Sequence, residues 1–190
     1  MIIKDKNKLK TKCEPVSSVE EGEEIAVKLF EELVKSKTPG IGLAANQIGI
    51  NKRVCVINVK EPMAFINPKI TKLEGEVLYA ESCLSFPKKI INTKRAMWVT
   101  IESDNHGTIV MGSDTQDDSL LEAVCVQHEI DHLDGITMFD RQLKGITIKR
   151  EGKKLGRNTK VLIKKGNDTQ TLKYKKATKY LENGWTLVEA

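Results

Sequence analysis

His128 and His132, with Glu129, Ile130 and Asp131 between them, constrain the fold more than any other segment of this 190-residue chain. On an α-helix, residues four apart leave the same face about 6 Å apart along the axis, so both imidazoles can ligate one divalent ion. Such an ion needs a further ligand, and the fold must then bring a distant stretch of chain against this helix. Glu129 lies beside the first imidazole, where a general base would stand. The chain has three histidines, and two of them fall in this pentad. A helix that merely happens to carry two histidines is the bland alternative, and the pentad alone leaves it open.

A catalytic site of this kind holds three protein ligands and keeps one position exchangeable. Cys125 shares a helical stripe with His128 and His132, but seven residues span about 10 Å of axis, too far for Cys125 and His132 to meet one ion together with His128. Cys83, within Glu81-Ser82-Cys83-Leu84-Ser85, is the better candidate, because small and polar neighbours suit a constrained turn. A buried inert thiol is the competing reading. Cys13 and Cys55 read as packing residues. Two imidazoles and a thiolate suit zinc or iron(II), with cobalt or nickel as substitutes.

Ser18 and Glu21 form a capping box ahead of an apolar stripe at Ile25, Ala26, Leu29, Phe30, Leu33 and Val34. This predicts an amphipathic helix of about five turns that ends before Pro39-Gly40. The small residues of Gly40–Gln47 predict a tight loop or strand edge that backbone or ligand can approach closely. Short strands are expected over Arg53–Val59, Ala64–Ile66, Val77–Tyr79, Trp98–Ile101 and Thr108–Met111, with a hairpin turn at Asp104–Gly107 that exposes His106. A second capping box, Ser119 with Glu122, is expected to open the pentad helix, which should stop near Gly135.

With 39% hydrophobic and 30% charged residues the chain can build one sizeable core. No stretch reaches the roughly 18 apolar residues of a membrane span, and the first residues lack the pattern of a signal peptide, so a reducing cytoplasm is the expected setting. There the four cysteines serve as thiols or ligands rather than disulfides. Charge is unevenly spread. Residues 1–141 carry 18 Lys and Arg against 22 Asp and Glu, a net of −4, while residues 142–190 carry 13 against 4, a net of +9. This suggests a body that does the chemistry, 1–141, and a basic extension, 142–190, that meets an anionic partner or simply solubilises. Within the extension, Gly145, Gly152 and Gly156 argue against one long helix. Strands over Lys160–Lys164 and Thr171–Lys173, a helix near Tyr174–Leu181 capped by Gly184, and a strand at Trp185–Val188 are expected instead.

Three separated segments, Gly40–Gln47, Glu81–Ser85 and Gln127–His132, in this order and spacing resemble the three signature motifs of the peptide deformylases. The resemblance spans residues 1–141. It implies an α+β fold of antiparallel sheets around a central metal-binding helix, with 142–190 as a small basic C-terminal appendage. It places the metal on Cys83, His128 and His132, with Fe2+ as the ion for full activity and Zn2+, Ni2+ or Co2+ as possible occupants. The implied reaction removes the formyl group from formyl-Met nascent peptides and releases formate.

In that scheme Glu129 exchanges the proton of the attacking water, and Gln47 and the backbone N–H of Leu84 resemble the donors that stabilise the oxyanion. A thiolate ligand makes a metal-bound water less acidic than a third imidazole would, which raises the importance of Glu129. Ile41, Gly42, Leu121, Val124 and Cys125 are candidates for the pocket that takes the methionine side chain. Glu81 and Arg95 occupy positions resembling an ion pair that braces the Cys83 loop. Many family members have Gly where this chain has Ser82, in a turn that would tolerate positive φ.

Bacterial deformylases commonly carry a basic C-terminal helix that docks near the ribosomal exit tunnel. This extension shares the charge without the simple helix, so contact with the ribosome or rRNA through Lys153, Lys154, Lys164, Lys165, Lys175 and Lys176 is an expectation, and no membrane contact is. Two other classes compete: a zinc endopeptidase built on the same pentad, and a non-enzymatic nucleic-acid binder with a closed structural metal.

Overall fold

Strand Val54–Asn58 lies between two layers of core and shows why the fold is sandwiched around it. Val54 and Val56 pack with the residues of the first helix, whereas the alternate residues Cys55 and Ile57 pack with those of the second. Period-2 alternation thus serves two apolar faces at once, and the strand reads as a continuous apolar run. The computed structural model describes residues 1–143, 160–166, 168–173, 176–177, 180 and 186–189. The chain divides into two compact units, Met1–Ile148 and Lys149–Ala190.

In the first unit, helix α1 (Val19–Lys35) precedes strands β1 (Gly42–Ala44), β2 (Val54–Asn58), β3 (Pro62–Ile66), β4 (Lys69–Glu74), β5 (Val77–Cys83), β6 (Phe86–Arg95), β7 (Trp98–Ser103) and β8 (Gly107–Gly112), and helix α2 (Asp118–Leu133) follows. All strand pairs are antiparallel: β1-β2-β3 form one sheet, β4-β7-β8 a second, and β5-β6 a long hairpin. α1 covers one face of the first sheet, and α2 packs against its other face and against β7 and β8. This is the expected α+β arrangement with the histidine helix at its centre.

At α1, the Ser18 hydroxyl accepts from the Glu21 N–H at 3.2 Å, but the return half of the capping box is shifted by one residue. Glu21 accepts from the N–H and hydroxyl of Ser17, at 2.8 and 2.7 Å. Ile25, Ala26, Leu29 and Leu33 are buried, whereas Val34, expected on the same stripe, is exposed.

The second expected capping box does not form. Asp117 caps α2, its carboxylate accepting from the N–H groups of Ser119 and Leu120 at 3.0 Å each, while Glu122 is drawn to Lys60 at 2.7 Å. Hydroxyls of Ser113 and Thr115 hold the Asp117 carboxylate in place, so an earlier and ionised cap wins over the Ser119 hydroxyl. The helix ends as expected, with Gly135 at φ +72° just beyond it.

Strands β4 and β6 escape the sequence pattern because both are rich in lysine, β4 being mostly exposed as the edge of its sheet and β6 exposed along half its length. His106 is exposed in its turn as expected.

In the second unit, β9 (Lys160–Lys165) pairs with β10 (Asp168–Lys173) and β11 (Thr186–Glu189) in the order β10-β9-β11. The two expected strands are therefore present and pair as a hairpin, with Gly166 at φ +59° in its turn. The expected helix over 174–181 lies outside the described residues except for Lys176, Ala177 and Tyr180, which are helical, and so do Gly184 and Trp185.

Candidate metal centre

Helix α2 buries Glu122, Gln127, His128, Glu129, Asp131 and His132 in its last three turns. Burying so many polar groups is costly unless each finds a partner or a ligand. Gln127 spends its amide on the backbone of Ala96 and Ala123. His128 and His132 turn instead toward the end of β5.

There the two-residue alternation of the strand points Glu81 and Cys83 inward and Ser82 outward. Ser82 is not among the non-glycine residues of positive φ, so its side chain introduces no backbone strain there. The pairing with β6 shifts register between Glu81 and Cys83, which swings the thiol over the helix.

Cys83 Sγ lies 3.3 Å from His132 Nε2, and the ligand atoms of Cys83, His128 and His132 all fall within 4.8 Å of one another. Sulfur and imidazole ligands at about 2.0–2.3 Å from one ion are separated by roughly these distances. The three donors are close enough to hold one divalent cation together. Electrostatics agree: burial disfavours a charged His128, yet Cys83 and Glu81 raise its proton affinity well above the ordinary histidine value, so this spot attracts positive charge. Burial, together with the charges of His128 and Arg95, holds His132 well below that value, as a neutral imidazole ligand requires. Cys125 stays out of the group and donates to the Ile41 carbonyl at 3.4 Å.

Around the three donors runs a chain of buried charges. Glu81 Oε2 pairs with His128 Nδ1 at 2.7 Å, which leaves Nε2 of His128 for the site. Arg95 grips Glu81 through Nε at 2.5 Å and Nη2 at 3.0 Å, and the Thr93 hydroxyl donates to the same carboxylate. Arg95 also reaches Asp131 at 2.5 Å, and Asp131 in turn accepts from Arg141 at 2.7 and 3.1 Å. Although burial opposes it, the bonds from His128 and Arg95 keep Glu81 ionised well below the usual carboxylate range. Thr93 and Arg141 carry no motif signal, and Asp131 sits inside the pentad without a role the pattern assigns. Thr93 comes from β6, Asp131 from α2 and Arg141 from the segment beyond α2, and only the fold brings them together.

Glu129 is buried, and its Oε2 has no partner among the described residues. Burial is the main cause that pushes its carboxyl up to about 7, with Glu81 adding and the His128 and Arg95 charges opposing. Gly42 in β1 faces it. A Cβ there would come within 2.5 Å of Glu129 Oε1 and 2.7 Å of Cys125 Sγ, so only glycine fits. Gln47 is fixed by accepting from the Ala44 N–H at 2.9 Å, and its Nε2 lies 3.0 Å from Ser85 Oγ and 3.4 Å from Cys83 Sγ. The next residue back, Asn46, donates to the His132 carbonyl at 2.5 Å, so one short turn braces both halves of the centre.

A cleft of about 390 Å³ opens onto these groups. Ile41, Gly42, Leu121, Val124 and Cys125 all line it, with Gln47, Leu84 and Glu129. Gly40, from the stretch expected to let a ligand approach closely, lines it too, as does Tyr79, which carried no site signal in the sequence. Arg95 is not on this wall and acts through Glu81.

Residues 1–147 match the family model described as polypeptide deformylase. The peptide deformylase of Neisseria meningitidis is 39% identical over 159 residues, covering 80% of this chain and 92% of that protein. Peptide deformylase 2 of Xanthomonas campestris is 39% identical over 140 residues, 70% of this chain and 80% of the relative. Among solved structures, a peptide deformylase from Legionella pneumophila superposes with a TM-score of 0.65 at 30% identity, covering 76% of this chain and 86% of that one. The enzyme of that name from Thermotoga maritima gives 0.64 at 27%, covering 75% and 97%.

Proposed function

Because the chain belongs to the peptide deformylase family, a family of metal-dependent hydrolases, we propose that it strips the formyl group from formyl-methionyl nascent peptides with Cys83, His128 and His132 as metal ligands. The observation that carries this reading is the convergence of one sulfur and two ring nitrogens beside an unpartnered buried carboxylate, Glu129. Fe2+ is the ion proposed for full activity, with Zn2+, Ni2+ or Co2+ as substitutes.

When bound, the cation acidifies a water and polarises the formyl carbonyl. Glu129 takes the proton of the attacking water and hands it to the departing nitrogen as the carbon–nitrogen bond breaks, leaving formate and a free amine. Gln47 Nε2 and the Leu84 N–H donate to the formyl oxygen as charge develops on it. Glu81 holds His128 in one orientation and tautomer, and Arg95 holds Glu81. Ile41, Gly42, Leu121, Val124 and Cys125 form the pocket for the methionine side chain.

Residues 142–190 are proposed to be a separate basic extension to the catalytic part, 1–141. Its net charge of +9 supports contact with rRNA where nascent chains emerge. Lys164, Lys165 and Lys176 are exposed, while Lys153, Lys154 and Lys175 lie outside the described residues. Ribosome co-sedimentation that survives high salt, or that is unchanged on deleting 150–190, would count against this contact. Among the described residues no helix is long and apolar enough to cross a membrane, and a cytoplasmic setting is proposed.

The zinc endopeptidase reading is not favoured by any of these similarities. Formyl-Met-Ala-Ser and Met-Ala-Ser, assayed side by side, separate the two: a deformylase releases formate from the first and leaves the second intact.

A further inference from the structure

The catalytic cleft does not end at its apolar wall. Thr38, Leu84 and Pro87 border both the cleft and a second groove of about 270 Å³, which runs past the end of α1 toward the N-terminal segment. Lys4, Lys35 and Lys37 line that groove, and Lys88 stands on the cleft side of the shared wall.

Two charges there are already neutralised. Lys35 pairs with Glu31 at 2.9 Å, and Glu32, the acidic residue lining the groove, accepts from the Met1 ammonium at 2.7 Å. Lys4, Lys37 and Lys88 are exposed and meet no carboxylate among the described residues. Residues 1–141 are acidic on balance, 18 cations against 22 anions, so a local surplus of lysine at this mouth is not a reflection of composition.

The shared wall of Thr38, Leu84 and Pro87 gives a substrate a way from one cavity to the other. With the formyl group at Glu129 and Cys83, and the methionine side chain among Leu121, Val124 and Cys125, the first cleft holds little more than the start of the peptide. β1 ends its sheet and β5 is paired on one side only, so an extended peptide can run between their free edges. At about 3.3 Å per residue, a peptide that leaves the cleft over Thr38, Leu84 and Pro87 brings its later residues into the second groove.

We infer, resting on the deformylase reading, that the lysine-lined groove receives nascent-chain residues beyond the third and that Lys4, Lys37 and Lys88 make the enzyme prefer acidic side chains there. Exposed ion pairs are individually weak, and two or three acting together change binding by about fivefold to tenfold.

The test uses the full-length metal-loaded enzyme and peptides of the form formyl-Met-Ala-Ser-Xaa-Xaa-Xaa, with Xaa either Glu or Lys. The expected ratio of kcat/KM, Glu over Lys, is about fivefold or more at low salt, is carried by KM, and falls toward one at 0.5 M salt (roughly a 4 Å screening length). In the Lys4→Glu/Lys37→Glu variant the ratio inverts. A wild-type ratio near one, or a preference that persists unchanged in the variant or at high salt, overturns the inference alone. Failure to release formate from formyl-Met-Ala-Ser overturns the deformylase reading, and this inference with it.

Discussion

Glu81 Oε2 and His128 Nδ1 lie 2.7 Å apart, and both are buried. The contact selects which imidazole nitrogen is left for a metal, and Arg95 and Thr93 saturate the rest of the carboxylate so that it cannot turn away. Glu81→Gln keeps the shape and removes the charge. Metal should then dissociate about 10- to 100-fold faster, measured as metal retained against a chelator over time. Equal retention in both proteins would mean that Glu81 does not hold the ligand.

Gln47 is anchored at one end by the Ala44 N–H and presents Nε2 beside Cys83. Gln47→Ala should lower kcat by about 10²- to 10³-fold with KM little changed, because the lost bond is made to charge that develops only in the transition state. A loss confined to KM would assign Gln47 to ground-state binding.

Gly42 faces Glu129 too closely to admit a methyl group. Gly42→Ala must displace either the Glu129 carboxylate or the Cys125 thiol, and overpacking of this kind costs about 1–3 kcal/mol. Turnover should fall at least tenfold while metal content stays at the wild-type level. Full activity in the purified variant would show that β1 can move away from α2 freely.

Asp117 offers a test of the fold that is independent of the metal. Hydrogen bonds from Thr115, the Leu120 N–H and Ser113 lower its carboxyl to about 2. A folded-state pKa below the unfolded value near 3.9 means stability that is present above about pH 4 and lost as pH falls through about 2. Thermal melts of wild type and Asp117→Ala should therefore differ at pH 7 and converge below pH 2. A constant gap across that range would remove Asp117 as an ionised cap.

The ligand set was readable from the chain because two of its members sit in one helical turn and the third in a short, distinctive pentapeptide, Glu81–Ser85. The core was readable where apolar periodicity is strong, as at α1 and β2. Edge strands β4 and β6 were not, since exposed lysine-rich segments pair through backbone groups that leave no side-chain signature. The cap at Asp117 was missed for a different reason. Ser119 and Glu122 match the capping-box spacing, but Ser113 and Thr115 lie upstream and fix a competing carboxylate that spacing alone does not weigh. Asp131 braces the centre only because β6 delivers Arg95 to it, and Arg141 joins through the same Asp131 carboxylate.

The most direct measurement is formate release from formyl-Met-Ala-Ser by the anaerobically prepared iron enzyme, with Cys83→Ser and Glu129→Gln in parallel. Release by the wild type is expected, with Cys83→Ser failing to retain iron and Glu129→Gln retaining it while turning over about a thousandfold more slowly. No formate from the iron-loaded wild type, or undiminished turnover and iron content in Cys83→Ser, would contradict a catalytic centre built on Cys83, His128 and His132.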